Sequence, residues 1–356
     1  MPLQTLPLEL VQVILDNIHD EKDLCAVSLT CHDLYALATP LLYSDVTISK
    51  WDNADSQFFR FAETMLNKPH LASFVKSFSG PLKPPSSLSD AFEPLQGWLQ
   101  HIVNLKTLRT TLPPTFDQYL SPDCPFVLES LHIGRYGGTE VVENFLIRQS
   151  DLFSLSIGRF RPVGSRPPSP LACPNLKVLS GNIYAAKTFF PGRRVVRFVW
   201  NYQFGESVSV PPTLLSDISE ELNNLRSLSY KIADPAYPTH SMFKGALNPP
   251  SAFLRSLRFL EVQFMLPEDW IFVPTLPNLC ALLVLVTHFK DVSAINQADR
   301  ITELFSNCPT LQHVDVTGYM YPRPDTCFRW LRGKDEPILI PLAVAEMGRM
   351  EFLDDN

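Results

Sequence analysis

The sequence predicts a mixed α/β protein in which a small N-terminal helical module is followed by strand units that repeat. Three observations carry this. The first fifty residues hold three short helical patterns with more apolar surface than so small a module can bury by itself. Beyond them a hexad of the form apolar-x-x-apolar-x-apolar recurs as far as Val316. Proline, at 32 residues against 14 glycines, breaks the chain between the units.

From Leu6 to Ile18, Leu10, Ile14 and Ile18 form an i, i+4 row, and Leu8, Val11, Val13 and Leu15 add apolar groups on the other faces. Such a helix has almost no wet side. Pro7 suits the first helical position, where its missing N–H costs nothing, and Glu9 favours the positive end of the helix dipole. Asp20 reads as the N-cap of a second helix with Asp23 in its first turn, turning Leu24 and Val27 inward, with Ser28 and Leu29 as further candidates. Thr30 and Asp33 fit a capping box, so a third helix through Leu34, Tyr35 and Leu37 should run to Pro40.

The order Leu6-Pro7-x-Glu9-Leu10, Ile14, Ile18, Asp23-Leu24, Val27, Leu34-Tyr35, Pro40-Leu41-x-Tyr43 resembles an F-box, that of a fungal F-box protein, over about residues 4 to 47. This resemblance implies three helices that dock on a Skp-family adaptor, and through it on a cullin. The implied adaptor contacts are Leu6, Pro7, Leu10, Val11, Ile14, Leu24, Val27, Leu34 and Tyr35. Tyr35 is a departure, since many F-boxes carry Trp there. The same residues also fit a helical cap that packs only on the rest of this chain.

Complete hexads are Leu128/Leu131/Ile133, Leu152/Leu155/Ile157, Val195/Phe198/Trp200, Leu225/Leu228/Tyr230, Leu257/Leu260/Val262, Leu279/Leu282/Val284 and Leu311/Val314/Val316. Two imperfect copies, Leu105/Leu108 and Leu176/Leu179, end in Thr110 and Gly181. Successive copies start 19 to 32 residues apart, around the period of a leucine-rich repeat. The alternation closing each hexad is that of a strand with one buried face. Helical patterns precede several copies, over Glu93 to Ile102, Glu140 to Arg148 after Thr139, Leu214 to Leu222 after Thr213, and Gln297 to Asn307. Pro174-Asn175-Leu176, Pro277-Asn278-Leu279 and Pro309-Thr310-Leu311 repeat one join, in which Pro stops the helix and Leu anchors the strand.

Stacked units of this kind give an irregular leucine-rich-repeat solenoid with a parallel strand face. Fungal F-box proteins with divergent leucine-rich repeats resemble the layout, including a final aromatic and basic strand, Phe328 to Arg332, and a short acidic tail. The Asn or Cys that regular repeats place shortly after the hexad is missing, which leaves the curvature open. An ordinary α/β or α+β domain is the rival. The predicted division is residues 1–47 for the F-box, 48–103 for a connecting segment of helix and strand, 104–332 for the repeats, and 333–356 for a C-terminal cap and acidic tail.

Composition narrows the function. The chain has 356 residues, 45% of them hydrophobic, with a net charge of −7 and a pI near 5.6. That acidity argues against nucleic acid as a partner, and the densest basic spot, Arg193-Arg194 with Arg197, reads as a solvated strand edge. The longest apolar run, Leu279 to Val286, is too short to span a membrane, and acidic residues interrupt the opening where a secretory signal would need an apolar stretch. Seven scattered cysteines without a C-x-x-C pair read as reduced thiols of the cytoplasm or nucleus.

Proline clusters at 81–85, 162–170, 235–238, 249–250 and 322–324 read as loops, and Ser165 or Ser169 could be modified within 161–170, although a stiff spacer fits as well. No metalloprotease, nucleophile-elbow or phosphate-loop motif occurs. His132 and His313 sit at outward strand positions, and Cys25 with His32 fits packing better than a thiolate pair. No catalytic residue, metal ligand or cofactor is assigned.

Target recognition is expected at strand residues between the hexad positions: His132, Phe259, Glu261, Leu283, His313 and Asp315, with Ser130, Ser154, Ser156, Ser227 and Ser229 beside them. Phe259 and Leu283 are either binding anchors or a sign that the register is off by one. The leading function is a non-enzymatic substrate receptor of an SCF-type cullin ubiquitin ligase acting on an unidentified protein target. The alternatives are a repeat scaffold without ubiquitin transfer and, more remotely, a hydrolase with a dispersed triad.

Overall fold

The computed structural model of the protein describes residues 6–48, 54–82, 97–110, 120, 123–134, 140–158, 169–202, 216–232, 253–263, 270–285, 294–317 and 325–351. Thr139, Thr213, residues 161–168, the proline clusters after 232 and the acidic tail beyond 351 lie outside them. The chain forms two compact units, Met1–Leu152 with Leu171–Cys173, and Phe153–Pro170 with Pro174–Asn356.

The first unit opens with α1 (Leu8–Asp16), α2 (Glu21–Ser28) and α3 (His32–Ser44), which leads directly into β1 (Asp45–Thr47). Then come α4 (Ala54–Asn67), α5 (Pro69–Ala72), β2 (Ser77–Ser79), a 3-10 turn at Trp98–His101, β3 (Thr107–Thr110), β4 (Ser130–Ile133) and α6 (Glu140–Arg148). Strands β1 to β4 pair parallel in sequence order.

The second unit holds β5 (Ser154–Ile157), β6 (Val178–Gly181), α7 (Ile183–Phe189), β7 (Arg197–Tyr202), α8 (Ser219–Asn223), β8 (Ser227–Ile232), β9 (Phe259–Val262) and β10 (Ala281–Val284). It ends with α9 (Ala294–Asn307), β11 (His313–Thr317), β12 (Thr326–Leu331), β13 (Ile338–Pro341) and α10 (Leu342–Glu351). Strands β5 to β11 are parallel. The expectation of a wholly parallel face needs correction, since β12 and β13 run antiparallel. The tight turn at Gly333, whose φ is +75°, returns the chain beside β12 without the crossover that a parallel strand requires.

The hexads explain the strands. Every hexad position named above is buried, including Thr110 and Gly181. In the second unit the fourth positions Leu155, Leu179, Phe198, Leu228, Leu260, Leu282 and Val314 are paired neighbour to neighbour in one ladder. A fully buried Leu contributes about 1.5–3 kcal/mol. Two further copies start the series in the first unit, Tyr43/Val46/Ile48 on β1 and Val75/Phe78/Gly80 on β2. Beneath β2, Phe61 stacks on Phe78, and Trp98 meets both rings edge-on or tilted.

The imperfect copy ending in Gly181 has a packing cause: a Cβ there would lie 2.8 Å from that of Ala185 on α7. That helix begins two residues later, capped by Asn182, whose side chain accepts from the Ala185 N–H at 3.0 Å.

A side-chain ladder is also present, on the other side of the hexad from where regular repeats would place it. The Asn or Thr just before a hexad donates to the carbonyl two residues before the preceding hexad: Asn104 to Ser73 at 2.7 Å, Asn278 to Arg255 at 2.7 Å and Thr310 to Pro277 at 3.4 Å. Asn175 and Asn224 hold the same sequence position.

The helix expected at 140–148 forms as α6 and the one at 297–307 lies within α9, whereas α8 matches only the end of 214–222 and the described part of 93–102 is the 3-10 turn Trp98–His101. Helix α4 falls in the connecting segment of helix and strand, and α7 has no counterpart among the helical patterns. Several local expectations in the N-terminal helices are corrected. Pro7 is the N-cap of α1 rather than its first helical residue. No Thr30 capping box forms, because the Thr30 hydroxyl donates back to the Val27 carbonyl at 2.7 Å and Cys31 takes the cap position without a side-chain bond. Helix α3 continues through Pro40 to Ser44. Leu29 is not turned inward; it is 84% exposed.

Candidate functional site

The N-terminal helices sort their apolar residues into two sets. Val11, Leu15, Leu24 and Ala38 are the buried core of the module, with Leu6, Ile18, Val27, Leu34, Leu37, Leu41 and Leu42 packed against them. Asp20 holds α2 in place, its carboxylate accepting from the Lys22 N–H at 2.8 Å. The second set has no cover: Pro7, Leu10, Val13 and Ile14 on α1, with Leu29 and Tyr35, are exposed. Spacings of three and four place Pro7, Leu10, Val13 and Ile14 on one stripe of α1, turned away from Val11 and Leu15. Leu10 and Ile14 are 51% and 47% exposed.

The sequence-predicted adaptor contacts therefore divide. Pro7, Leu10 and Ile14 lie on the open stripe of α1 and Tyr35 is exposed on α3, Val11 and Leu24 are buried in the module, and Leu6, Val27 and Leu34 are partly buried around that core. A buried Val11 or Leu24 cannot touch a partner without the module opening; its role is to hold the helices that display the others. Leu8, Val13 and Leu29, absent from the predicted set, enlarge the exposed apolar surface. Val13 was legible, because it stands three residues after Leu10 on the same stripe.

This face is fixed to the strands of its own unit. The Lys76 N–H donates to the Ser44 carbonyl at the end of α3, and Ile48 donates to Ser79, at 2.9 and 2.8 Å. Tyr43 lies in this join; burial, then Tyr35 and Cys25, push its phenol up from its ordinary value. A helix that runs into a paired strand leaves no loose linker between the two.

The residues predicted to meet a target also separate. His132 is exposed on β4, and His313 is half-buried on β11, 3.9 Å from Asp315. Burial, outweighing the Asp315 charge, lowers the His313 imidazole below its ordinary value. Phe259, Glu261, Leu283 and Asp315 are not exposed, which corrects their reading as a wet face. Their register is as expected; the face itself is covered. Helix α10 lies on it, with Ala345 joining Phe259, Ala281, Leu283 and Cys327 in one cluster against which Ile340 and Leu342 pack.

Two bidentate arginine–carboxylate pairs sit among the described residues of this face. Arg329 on β12 donates twice to Asp315, at 2.8 and 2.7 Å. Arg349 on α10 donates twice to Glu261, at 2.7 and 2.6 Å, while the Ser229 hydroxyl donates at 2.5 Å and the Lys231 ammonium stands 3.8 Å away. Burial would raise the Glu261 carboxyl, but Arg349, Lys231 and Ser229 outweigh it and hold the group below the usual carboxylate range.

Among the described residues, no group of three or more His, Cys, Asp or Glu could hold a metal ion, and no helix is long and apolar enough to cross a membrane. No curated protein matches the chain. Residues 3–49 match the model of the F-box-like family. The helical module with its filled core and open apolar stripe is thus an F-box-like domain.

Proposed function

We propose that this chain is a substrate-recognition subunit of an SCF-type cullin ubiquitin ligase. The F-box-like module docks on a Skp-family adaptor, the adaptor links it to a cullin, and the strand units, read as divergent leucine-rich repeats, hold a protein target in the cytoplasm or nucleus. The chain supplies proximity rather than acid, base or nucleophile: it raises the effective concentration of a target lysine near a ubiquitin-charged enzyme.

The observation that carries this is the uncovered stripe of Pro7, Leu10, Val13 and Ile14 beside a core that is already complete without it. Contiguous exposed apolar surface of this kind marks an interaction site. Coexpression with a Skp-family adaptor tests the reading: adaptor and cullin should co-purify with the chain. Leu10→Asp and Ile14→Asp should each abolish that recovery with the fold intact, because the new carboxylate would be desolvated without a partner. Retained adaptor in both variants overturns the proposal. Recovery of the adaptor without any cullin favours a binding scaffold that transfers no ubiquitin.

A further inference from the structure

The face of the second unit that a target would be expected to use is occupied by the chain itself. Helix α10 lies over β9, β10 and β12, and its contacts define what that surface accepts. Close approach comes from small residues three apart: Ala345 is buried, and a Cβ on Gly348 would lie 2.9 Å from the Phe259 ring. Next in sequence, Arg349 closes the bidentate pair with fully buried Glu261. A buried ion pair loses much of its attraction to desolvation, so it sets register and partner choice more than it adds stability.

The fit is also incomplete. Arg197 and Ser227 face each other across β7 and β8, and the Arg197 Nε and the Ser227 Oγ are buried without a hydrogen-bond partner. The hydrogen-bond acceptor α10 offers Arg197 is the Met350 sulfur, 2.9 Å from Nη1 and a weak one, beside the longer-range attraction of Glu346. A residue with a carboxylate or amide oxygen at that place would pair the guanidinium. Val344 and Met347 are exposed, and Met350 is half exposed beside Arg197, so α10 buries little of its own apolar surface.

We infer that this strand face is a helix-binding surface that α10 fills in cis, and that an amphipathic helix of a partner protein displaces it. Such a helix carries small residues three apart, an arginine directly after the second, and an oxygen acceptor next. The inference rests on the reading of this unit as the target-binding part, and it makes α10 the segment a target must compete with.

Cys327 provides the test. It is buried under α10, and burial, then the Asp315 charge, push its thiol up to about 11, so it stays inert while covered. Cys308, buried on the core side at 1% exposure, is the internal reference. Iodoacetamide labelling of the full chain, resolved by peptide mass spectrometry, should modify Cys327 at least ~10-fold faster than Cys308 if α10 opens by local rather than global unfolding. Arg349→Met, which strips buried Glu261 of its bidentate partner and leaves it to Ser229 and the more distant Lys231, should raise Cys327 labelling a further ~10-fold while Cys308 stays protected.

A synthetic peptide of residues 342–351 added to that variant should restore protection, and the peptide with Met350→Gln should do so at about one-tenth the concentration. Equal labelling of Cys327 and Cys308 in both chains, or joint exposure of the two in the variant, overturns the inference, because α10 is then an integral part of the unit. An open variant that neither peptide protects also overturns it. Adaptor recovery from the same protein is independent of Cys327, so its failure would remove the ligase reading alone.

Discussion

The N-terminal helices and the strand face under α10 treat apolar surface in opposite ways. Helix α1 fills its module with Val11 and Leu15 and leaves Leu10, Val13 and Ile14 to solvent. Strands β9 and β10 turn Phe259 and Leu283 away from the hexad side, and the chain covers both with its own last helix. One surface is apolar and open. The other is mixed, with an arginine–glutamate pair at its centre, and is closed. An open apolar stripe suits a partner that is always the same, since burial is non-directional and rewards contact alone. A covered face with a buried ion pair discriminates, because an occupant without the matching charge leaves Glu261 desolvated without its bidentate partner.

The largest expected effect separates the two sets of apolar residues in the N-terminal module. Leu15→Ala, at 2% exposure, should cost about 2–5 kcal/mol in chemical denaturation of the module. Leu10→Ala should change stability by less than about 0.5 kcal/mol. Adaptor affinity should respond to the open residue instead: Leu10→Asp should weaken it by ~30-fold or more in a titration of purified components. If Leu10→Ala unfolds the module as Leu15→Ala does, the distinction between filled core and open face is lost.

On the covered face, Gly348→Ala should destabilise the second unit although alanine is the better helix former. The propensity gain is about 1 kcal/mol. Against it, a Cβ at 2.9 and 3.1 Å from two Phe259 ring atoms must push a ring that is itself fully packed, an overpacking cost of about 1–3 kcal/mol. Thermal unfolding decides the sign, and a raised midpoint would mean that Phe259 gives way. A smaller effect belongs to α2: Asp20→Ala removes the acceptor for the Lys22 N–H and should cost about 1 kcal/mol with little change in adaptor affinity.

The gentlest perturbation is pH. The groups around Glu261 are Arg349, Lys231, Arg197 and Ser229, with Glu346 bonded to Arg349 at 2.8 Å. Because Glu261 is lower in the folded chain than in the unfolded one, its contribution is fully present above the unfolded value and disappears as pH falls through the folded one. Cys327 should therefore stay covered at neutral pH and open as the pH drops below the usual carboxylate range. The open stripe of α1 is formed by the uncharged Leu10, Val13 and Ile14 and should show no such dependence.

Much of this was legible in order rather than in detail. The hexads can be read because their named positions are buried and because parallel pairing within each unit keeps them in step. The earliest copies, at Tyr43 and Val75, were harder to see, since one overlaps the end of a helix and the other closes on Gly80, whose Cβ would stand 3.1 Å from Ile48. The Asn-Leu dipeptides at 104–105, 175–176, 224–225 and 278–279 carried a usable signal, but their partners are backbone carbonyls of the preceding unit, which no local pattern displays. Pro40 misled for a local reason: proline usually ends a helix, yet α3 carries it as an interior residue with Ala38 and Thr39 buried beside it.

The amino-acid order by itself determined which residues are hydrophobic partners within an element: the i, i+4 rows of α1 and the alternation of each strand are properties of backbone period. Only the tertiary structure decided which of two apolar faces stays open. Leu10 and Phe259 look alike in sequence, each a large side chain opposite a buried row. One faces solvent because its module is complete without it, and the other is covered because a hairpin and a glycine-bearing helix bring the end of the chain back onto it. Burial depends on what arrives at a surface from far along the chain, and a local period carries no information about that arrival.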